Sequence, residues 1–219
     1  MLTATKIRFT GAVQEVRRLT GETIVLRMER GDIDFEPGQY VRIGVEGDSE
    51  IRDYSVYSGN NQAYLEVLLR RVEDGLVSQQ LFDLETGDKV MIGGPYGHFK
   101  LVEEVRSHPL LFIATGTGIS PFRSFLESYE GLNYRLIHGT SYLNEGYEKE
   151  IYGDHYFHCV SREEGGDYRG RVTDYLKDVE FTPDTNAFLC GNCDMIYDAF
   201  DLLQERGLPT TQIHTEVYF

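Results

Sequence analysis

The chain has 219 residues, 41% of them hydrophobic, and a formal net charge of −15. That charge disfavours nucleic acid and anionic membrane surfaces as partners, and no apolar run approaches the ~20 residues of a transmembrane helix. The opening "MLTATKIRF" lacks the basic start and apolar stretch of a secretory signal, and three cysteines (Cys159, Cys190, Cys193) make an odd count for a disulfide framework, so the expected setting is cytoplasmic.

Residues 1–105 read as β. The runs "KIRFTGAVQEV", "TIVLRME", "QYVRIGV", "DYSVYS", "AYLEVLLRRV" and "KVMIGG" alternate or carry β-branched residues. The turn signals "LTGE", "EPGQ", "SGNN" and "ETGD" separate them. Short strands at this spacing suggest a small barrel or a sandwich. One helix interrupts them at "LVSQQLFDL", where Leu76, Val77, Leu81, Phe82 and Leu84 fit one face.

The rhythm changes after a polar break around Glu103–His108, which places a domain boundary between 1–105 and 106–219. Strand "PLLFIATG" leads into helix "SPFRSFLESYE", with Ser120 as cap and Pro121 at the first position. Then come strand "YRLIHGT", helix "YEKEIYG", strand "YFHCVS", helix "VTDYLKDV", strand "NAFLCG", helix "MIYDAFDLLQERG" and strand "QIHTEVYF". Gly207 is a natural helix stop. Five strands alternating with helices predict a parallel sheet with helices on both faces, and ligands of such sheets sit at the carboxyl ends of the strands. Acidity is shared: residues 1–105 hold 12 basic and 18 acidic residues, and 106–219 hold 9 and 18, so neither half reads as a basic docking domain.

Several stretches carry chemistry. "ATGTGISP" leaves a strand and enters a helix, and Gly116 and Gly118 let backbone N–H groups approach a phosphate. The third glycine of the usual dinucleotide fingerprint is absent, so a tight turn serves equally well. In "RDYS", Arg52 and Tyr54 share one strand face, Asp53 and Ser55 the other. "GLVS", Gly75–Ser78, opens the short helix, where free N–H groups suit a second phosphate with Arg52 as counter-charge, or Ser78 simply satisfies a backbone donor. Arg162, Arg169 and Arg171 follow the "YFHCV" strand. Guanidinium groups suit a 2′-phosphate, whereas an acidic residue on the ribose hydroxyls points to NAD, and Glu163 and Glu164 adjoin the arginines. The C-x-x-C of Cys190 and Cys193 lacks the further ligands a zinc site needs, and a redox pair is conceivable. The six histidines show no metal spacing, and no metal is expected. His138 lines the nucleotide cleft or is a satisfied strand-end residue.

In order and spacing, "RDYS", "GLVS", "GGPYGHF", "ATGTGISPFRSF", "SRE" with "GR", "CGN..M" and the terminal "EVYF" resemble the ferredoxin–NADP reductase superfamily over nearly the whole chain. The resemblance implies an antiparallel six-stranded FAD-binding β-barrel with one short helix, followed by a nucleotide-binding α/β domain with a five-stranded parallel sheet. It assigns Arg52, Asp53, Tyr54, Ser55, Leu69, Arg70, Gly75, Leu76, Val77, Ser78, Thr117, Tyr218 and Phe219 to FAD. It assigns Gly116, Thr117, Gly118, Thr140, Ser161, Arg162, Arg171, Cys190, Gly191 and Met195 to NADP(H), and the "SRE…GR" match favours NADP over NAD.

The same resemblance places Tyr218 flat on the flavin, opposite Tyr54, where nicotinamide displaces it. Phe219 contacts the adenine end or shapes the nicotinamide entrance. Ser55 sets its hydroxyl near the flavin atom that accepts hydride, Cys190 puts its sulfur beside the reacting nicotinamide carbon, and Glu216 lies within hydrogen-bond reach of Ser55 and serves in proton relay or semiquinone stabilisation. Two departures stand out. Cys193 occupies a position where the family often has proline, and a disulfide to Cys190 would impede nicotinamide. The chain also lacks the family's longer loop that clasps the FAD adenosine.

The expected function is hydride transfer between NADP(H) and FAD and single-electron exchange with a small carrier such as ferredoxin or flavodoxin, by a monomer. Such carriers are usually acidic, so a local basic patch is required, for which Arg17, Arg18, Arg70, Arg71 and Lys100 are candidates. Open alternatives are an NAD(P)H-dependent reductase component of an oxygenase, a free-flavin reductase and a non-catalytic flavin-holding subunit. Three cysteines are too few for a four-cysteine iron–sulfur site.

Overall fold

The computed structural model describes residues 9–218, so the expectation for Phe219 lies outside the described residues. The chain divides into two compact units. One runs to Lys100 and takes in Ser120–Ser128; the other comprises Leu101–Ile119 and the chain from Tyr129 onward.

The first unit holds six antiparallel strands: β1 (Phe9–Arg18), β2 (Thr23–Glu29), β3 (Tyr40–Val45), β4 (Arg52–Ser55), β5 (Tyr64–Arg70) and β6 (Lys89–Tyr96). Their order is β4-β3-β6-β1-β2-β5. Just beyond β4, Val56 bridges Val67 of β5, and the Tyr57 N–H donates to the Glu66 carbonyl at 2.7 Å. The two outer strands therefore meet and the sheet closes into the barrel form. Strand alternation sends Ile24, Leu26 and Met28 of β2 and Leu65, Val67 and Leu69 of β5 into one core. Helix α1 (Leu76–Phe82) adds Val77, Leu81 and Phe82 to that core. Leu76, expected on the same face, is instead 55% exposed.

Outside the barrel wall, Glu66 is buried at 2% exposure. It accepts from Arg17 Nη1 at 2.5 Å and from Arg27 Nε at 2.9 Å. The helix of Ser120–Ser128 packs into this unit through the rings of Phe122 and Phe125 against Phe99. Its polar side chains then tie down the "SGN" turn: Ser124 Oγ donates to the Ser58 carbonyl at 2.7 Å, and Glu127 accepts from the Gly59 N–H at 3.0 Å. Ser120 is not a separate cap, because the helix continues directly out of a 3-10 turn at Gly116–Ile119.

The second unit is a parallel sheet of β7 (Leu110–Thr115), β8 (Tyr134–Thr140), β9 (Tyr156–Val160), β10 (Tyr168–Arg169), β11 (Asn186–Asn192) and β12 (Ile213–Tyr218). The order is β10-β9-β8-β7-β11-β12, with every neighbouring pair parallel. Five strands were expected and six are present. The added β10 is two residues long, pairing Tyr168 with Cys159 and Arg169 with Val160, too short to show a period of two.

A one-turn helix, α2 (Glu103–Arg106), lies in the polar break, and the Ser120–Ser128 helix is α3. Helices α4 (Val172–Leu176) and α5 (Cys193–Glu205) join Leu111, Ile113, Ile137 and Leu189 of the sheet in one apolar cluster. By alternation the opposite face carries Phe112, His138, Tyr156, His158, Phe188 and His214. The segment expected as a helix at 147–153 folds instead as 3-10 turns at Lys149–Ile151 and Gly153–His155. Glu148 sits in the left-handed region at φ 48°, which breaks the helical path. Tyr152 is still buried, its ring stacked on Tyr156 with centroids 5.5 Å apart, whereas Ile151 is left exposed.

Helix α5 begins with Asn192, whose side chain accepts the Met195 N–H at 3.2 Å. It ends as expected at Gly207: the Gly207 N–H bonds the Gln204 carbonyl and the Leu208 N–H the Leu203 carbonyl, a Schellman closure.

Candidate active site: a backbone-floored crevice and the strand β4

In the second unit the chain lays β8 and β9 to one side of β7 and then β11 and β12 to the other. The order reverses between β7 and β11, and sheets of this kind form their ligand crevice at such a switch point, at the carboxyl ends of the strands. Its floor is backbone. A β-carbon on Gly118 would lie 2.4 Å from the Cys190 carbonyl oxygen, and one on Gly191 would lie 2.3 Å from Thr115 Oγ1. Thr115 Oγ1 also accepts the Asn192 N–H at 2.9 Å, clamping the end of β7 to the end of β11. Gly116 turns the chain at φ 52°, a conformation suited to glycine.

Three predicted catalytic residues converge at this edge. Parallel pairing sets Cys190 beside Glu216 and Asn192 beside Tyr218, so Cys190, Glu216 and Tyr218 lie on one face of the sheet. Cys190 is fully buried. Burial pushes its thiol pKa well up, the Glu216 charge adds to the rise, and a hydrogen bond from the Tyr218 side chain opposes it. The sulfur is therefore neutral at physiological pH. Met195 lies a turn into α5 behind the Asn192 cap.

The remaining nucleotide candidates are distributed around the same strand ends. The Thr140 hydroxyl is buried and committed internally: it donates to the Tyr142 carbonyl at 2.9 Å and meets His158 Nε2 at 2.8 Å. Ser161 Oγ donates to the Thr140 carbonyl. Arg162 and Arg171 are exposed. Their acidic neighbours are engaged elsewhere, Glu163 with the Leu143 N–H and Glu164 with the Arg169 guanidinium. Among the described residues no carboxylate pairs with Arg162 or Arg171.

In the first unit, "RDYS" forms the whole of β4, with Tyr54 opposite Val41 and Ser55 opposite Tyr40. The charges of this strand are balanced in place: Asp53 pairs with Arg42 at 3.0 Å and Arg52 with Glu50 at 3.1 Å. Arg52 is thus held by Glu50 rather than by the α1 helix start. Tyr54 is half-buried against the barrel core, and burial, opposed by Arg52, raises its hydroxyl pKa to about 12. Ser55 is buried. Leu69 belongs to the barrel core and Arg70 is exposed.

Gly75 occupies the cap position of α1 with no side-chain acceptor for the first turn, in which Leu76 and Val77 stand. Ser78 Oγ accepts the Val72 N–H at 3.1 Å and donates to the Gly75 carbonyl at 3.0 Å. The serine thus fastens the loop to the helix start, which has no side-chain cap among the described residues.

Sequence reasoning missed Thr115 and Asn192. Asn192 carries a readable signal, an Asn directly before a helix. The clamp role of Thr115 has none, because its partner lies 77 residues away.

Residues 12–101 match the family of oxidoreductase FAD-binding domains, and residues 112–201 match that of oxidoreductase NAD-binding domains. The toluate 1,2-dioxygenase electron transfer component of Pseudomonas putida is 29% identical over 228 residues, which cover 96% of this chain and 67% of that one. The ferredoxin–NADP reductase of Azotobacter vinelandii is 30% identical over 207 residues, 80% of each chain. In fold, a ferredoxin NADP+ reductase from Neisseria gonorrhoeae with bound FAD and NADP superposes with a TM-score of 0.87 at 24% identity, covering 96% of this chain and 98% of that one. The closed barrel and the reversed parallel sheet agree with these matches, and the chain belongs to the ferredoxin–NADP reductase superfamily as an FAD- and NAD(P)-binding oxidoreductase.

Proposed function

We propose that the protein moves electrons between NADP(H) and a small carrier protein, with FAD as the intermediate store. The observation that carries the nucleotide choice is that, among the described residues, no carboxylate pairs with Arg162 or Arg171, while the neighbouring Glu163 and Glu164 are bound elsewhere. Two such guanidinium groups suit a 2′-phosphate.

FAD fits the first unit on two counts: the half-buried Tyr54 ring at the end of β4, and the uncapped first turn of α1. The reading gives Tyr54, Ser55, Arg70 and Gly75–Ser78 to FAD, with Tyr218 as a covering ring. It gives Gly116, Thr117, Gly118, Cys190, Gly191, Met195, Arg162 and Arg171 to the nucleotide. FAD, when bound, supplies the exchange between two-electron and one-electron chemistry. The chain supplies position and charge. Glycine backbone lets a flat ring lie close at the β7–β11 crevice, the neutral Cys190 thiol sits beside that position without adding charge, and the Glu216 carboxylate beside Cys190 is placed to take up a proton.

A carrier docking surface is supported by arginines that gather at one end of the barrel. Arg18 and Arg71 bracket the Phe82 ring at 4.7 and 4.6 Å, and Arg70 neighbours them. Arg17 and Lys100 are committed to Glu66 and Glu36, and Arg71 is itself held by Glu22 through two hydrogen bonds of 2.8 and 2.9 Å, so Arg18 and Arg70 carry most of the patch. An acidic carrier is the partner such a patch steers. A cytoplasmic setting belongs to this reading, with three free cysteines. The likeness to a dioxygenase electron transfer component supports a second reading, an oxygenase reductase whose acceptor is another protein.

The test is anaerobic titration of FAD-loaded protein with NADPH and NADH, followed by carrier reduction. Bleaching with NADPH preferred and electrons passed to ferredoxin or flavodoxin is the expected result. A preference for NADH with electrons passed only to an oxygenase component would establish the second reading. Flavin lost on gel filtration and turned over as substrate would make it a free-flavin reductase.

A further inference from the structure

We propose that His138 is a positioning residue for the nucleotide loop: from beneath, it fixes the Gly116 carbonyl and so sets the loop that receives NAD(P)H. This rests on the reading of Gly116–Gly118 as the nucleotide loop. His138 sits in β8, fully buried. Its Nε2 lies 2.8 Å from the Gly116 carbonyl oxygen and its Nδ1 lies 2.7 Å from the Tyr156 hydroxyl.

Chemistry settles which nitrogen carries the proton. A carbonyl only accepts, so Nε2 carries the hydrogen, and Nδ1 then accepts from the Tyr156 O–H. Burial drives the imidazole pKa down to about 3, so the ring is neutral and this single tautomer persists at physiological pH. Tyr156 is itself locked by its stack on Tyr152.

The loop is therefore fastened on two sides of the crevice. Toward β11, Gly118 lies against the Cys190 backbone and Thr115 holds the Asn192 N–H. Toward β8, His138 holds the Gly116 carbonyl. Nothing else in the described hydrogen bonds ties Gly116 to β8. Gly116 stands at φ 52° with nothing within 4 Å of where a β-carbon would lie, so no side-chain contact of its own fixes it. A loop anchored on only one side would have to be ordered by the nucleotide, which lowers affinity without altering the chemical step.

The experiment uses FAD-loaded wild type and the variants His138→Leu, His138→Gln and Tyr156→Phe. The NADP+ dissociation constant is read from the flavin absorbance change, KM and kcat with NADPH from steady state, and melting temperature alongside. Leucine at 138 leaves the carbonyl and the Tyr156 hydroxyl unpaired. It weakens NADP+ binding by about tenfold, the scale of one lost buried hydrogen bond, and raises KM with kcat nearly unchanged. Glutamine places an amide nitrogen where Nε2 stood and restores the affinity. Tyr156→Phe, which frees the tautomer, gives an intermediate loss.

A His138→Leu protein that binds NADP+ as the wild type does, or a glutamine variant as weak as leucine at an unchanged melting temperature, overturns the proposal. If the leucine variant does not fold, Tyr156→Phe decides: weakened binding at an unchanged melting temperature supports the role, and wild-type affinity removes it. A wild type whose flavin spectrum ignores NADP+ would instead remove the nucleotide-loop reading itself.

Discussion

Gly118 and Cys190 meet backbone to backbone: a β-carbon on Gly118 would lie 2.4 Å from the Cys190 carbonyl oxygen and 2.7 Å from the Gly191 α-carbon. Neither neighbour is a flexible side chain that could move aside. Gly118→Ala therefore forces the turn after β7 away from β11 and opens the crevice floor. Overpacking of this kind costs about 1–3 kcal/mol. The expected outcome is a KM for NADPH raised by about tenfold or more with FAD content retained, checked by steady-state kinetics and the flavin-to-protein absorbance ratio.

Arg162 and Arg171 yield a second prediction. Charge-assisted hydrogen bonds contribute about 1.5–3 kcal/mol, so Arg162→Ala lowers kcat/KM for NADPH by roughly 10- to 100-fold. NADH, which lacks the 2′-phosphate, changes by no more than about twofold. Arg171→Ala shifts the ratio in the same direction. The ratio of the two kcat/KM values is the measurement. An equal loss with both nucleotides would show that these arginines contact no 2′-phosphate.

Much of this fold was readable because its strands obey simple periods. "YRLIHGT" and "NAFLCG" have buried faces, short lengths and turn residues at each end, and both became strands at those positions. The barrel strands were readable from β-branched and apolar runs between turn signals, although β2 and β5 are buried along most of their length instead of alternating. What escaped the reading depended on partners distant in sequence. The strand at Tyr168 and Arg169 exists only because β9 offers an edge, with no pattern of its own. The 147–153 segment has helical apolar spacing, but Glu148 takes a left-handed conformation while Tyr147 and Tyr152 bury against β8 and β9. At the site, the sequence put His138 near the end of a strand and left open whether it lines the cleft or is merely satisfied there. It did not tell that His138 meets a glycine carbonyl 22 residues earlier, because a hydrogen-bond partner leaves no trace in composition or period.

Glu66 supplies a prediction about the barrel. Its carboxylate is 2% exposed and a single oxygen holds Arg17 at 2.5 Å and Arg27 at 2.9 and 2.8 Å. Breaking a wholly buried pair costs about 3–5 kcal/mol. Here the arginines are partly exposed and regain water when released, so Glu66→Ala destabilises by about 2–3 kcal/mol. Urea denaturation followed by circular dichroism reads this as a lower midpoint at an unchanged slope. A loss under about 0.5 kcal/mol, the scale of an ordinary surface substitution, would show that the pair is solvated.

The histidines of the parallel sheet predict acid sensitivity. Burial depresses His138 to about 3 and also lowers His158 and His214. In the unfolded chain these groups titrate near 6.5. Between about pH 6.5 and 3 the unfolded state therefore binds protons that the native state refuses. A depressed folded pKa contributes stability that is fully present above about pH 6.5 and is lost as pH falls toward the folded value. Each such proton steepens the decline by about 1.4 kcal/mol per pH unit. His138→Gln cannot titrate, so its unfolding free energy should fall less steeply than that of the wild type between pH 6 and 4, by about that slope. Urea midpoints measured across this range decide the matter. Parallel curves for the two proteins would mean that His138 takes up its proton in the folded state, and that the neutral ring bonded to the Gly116 carbonyl is not the native arrangement.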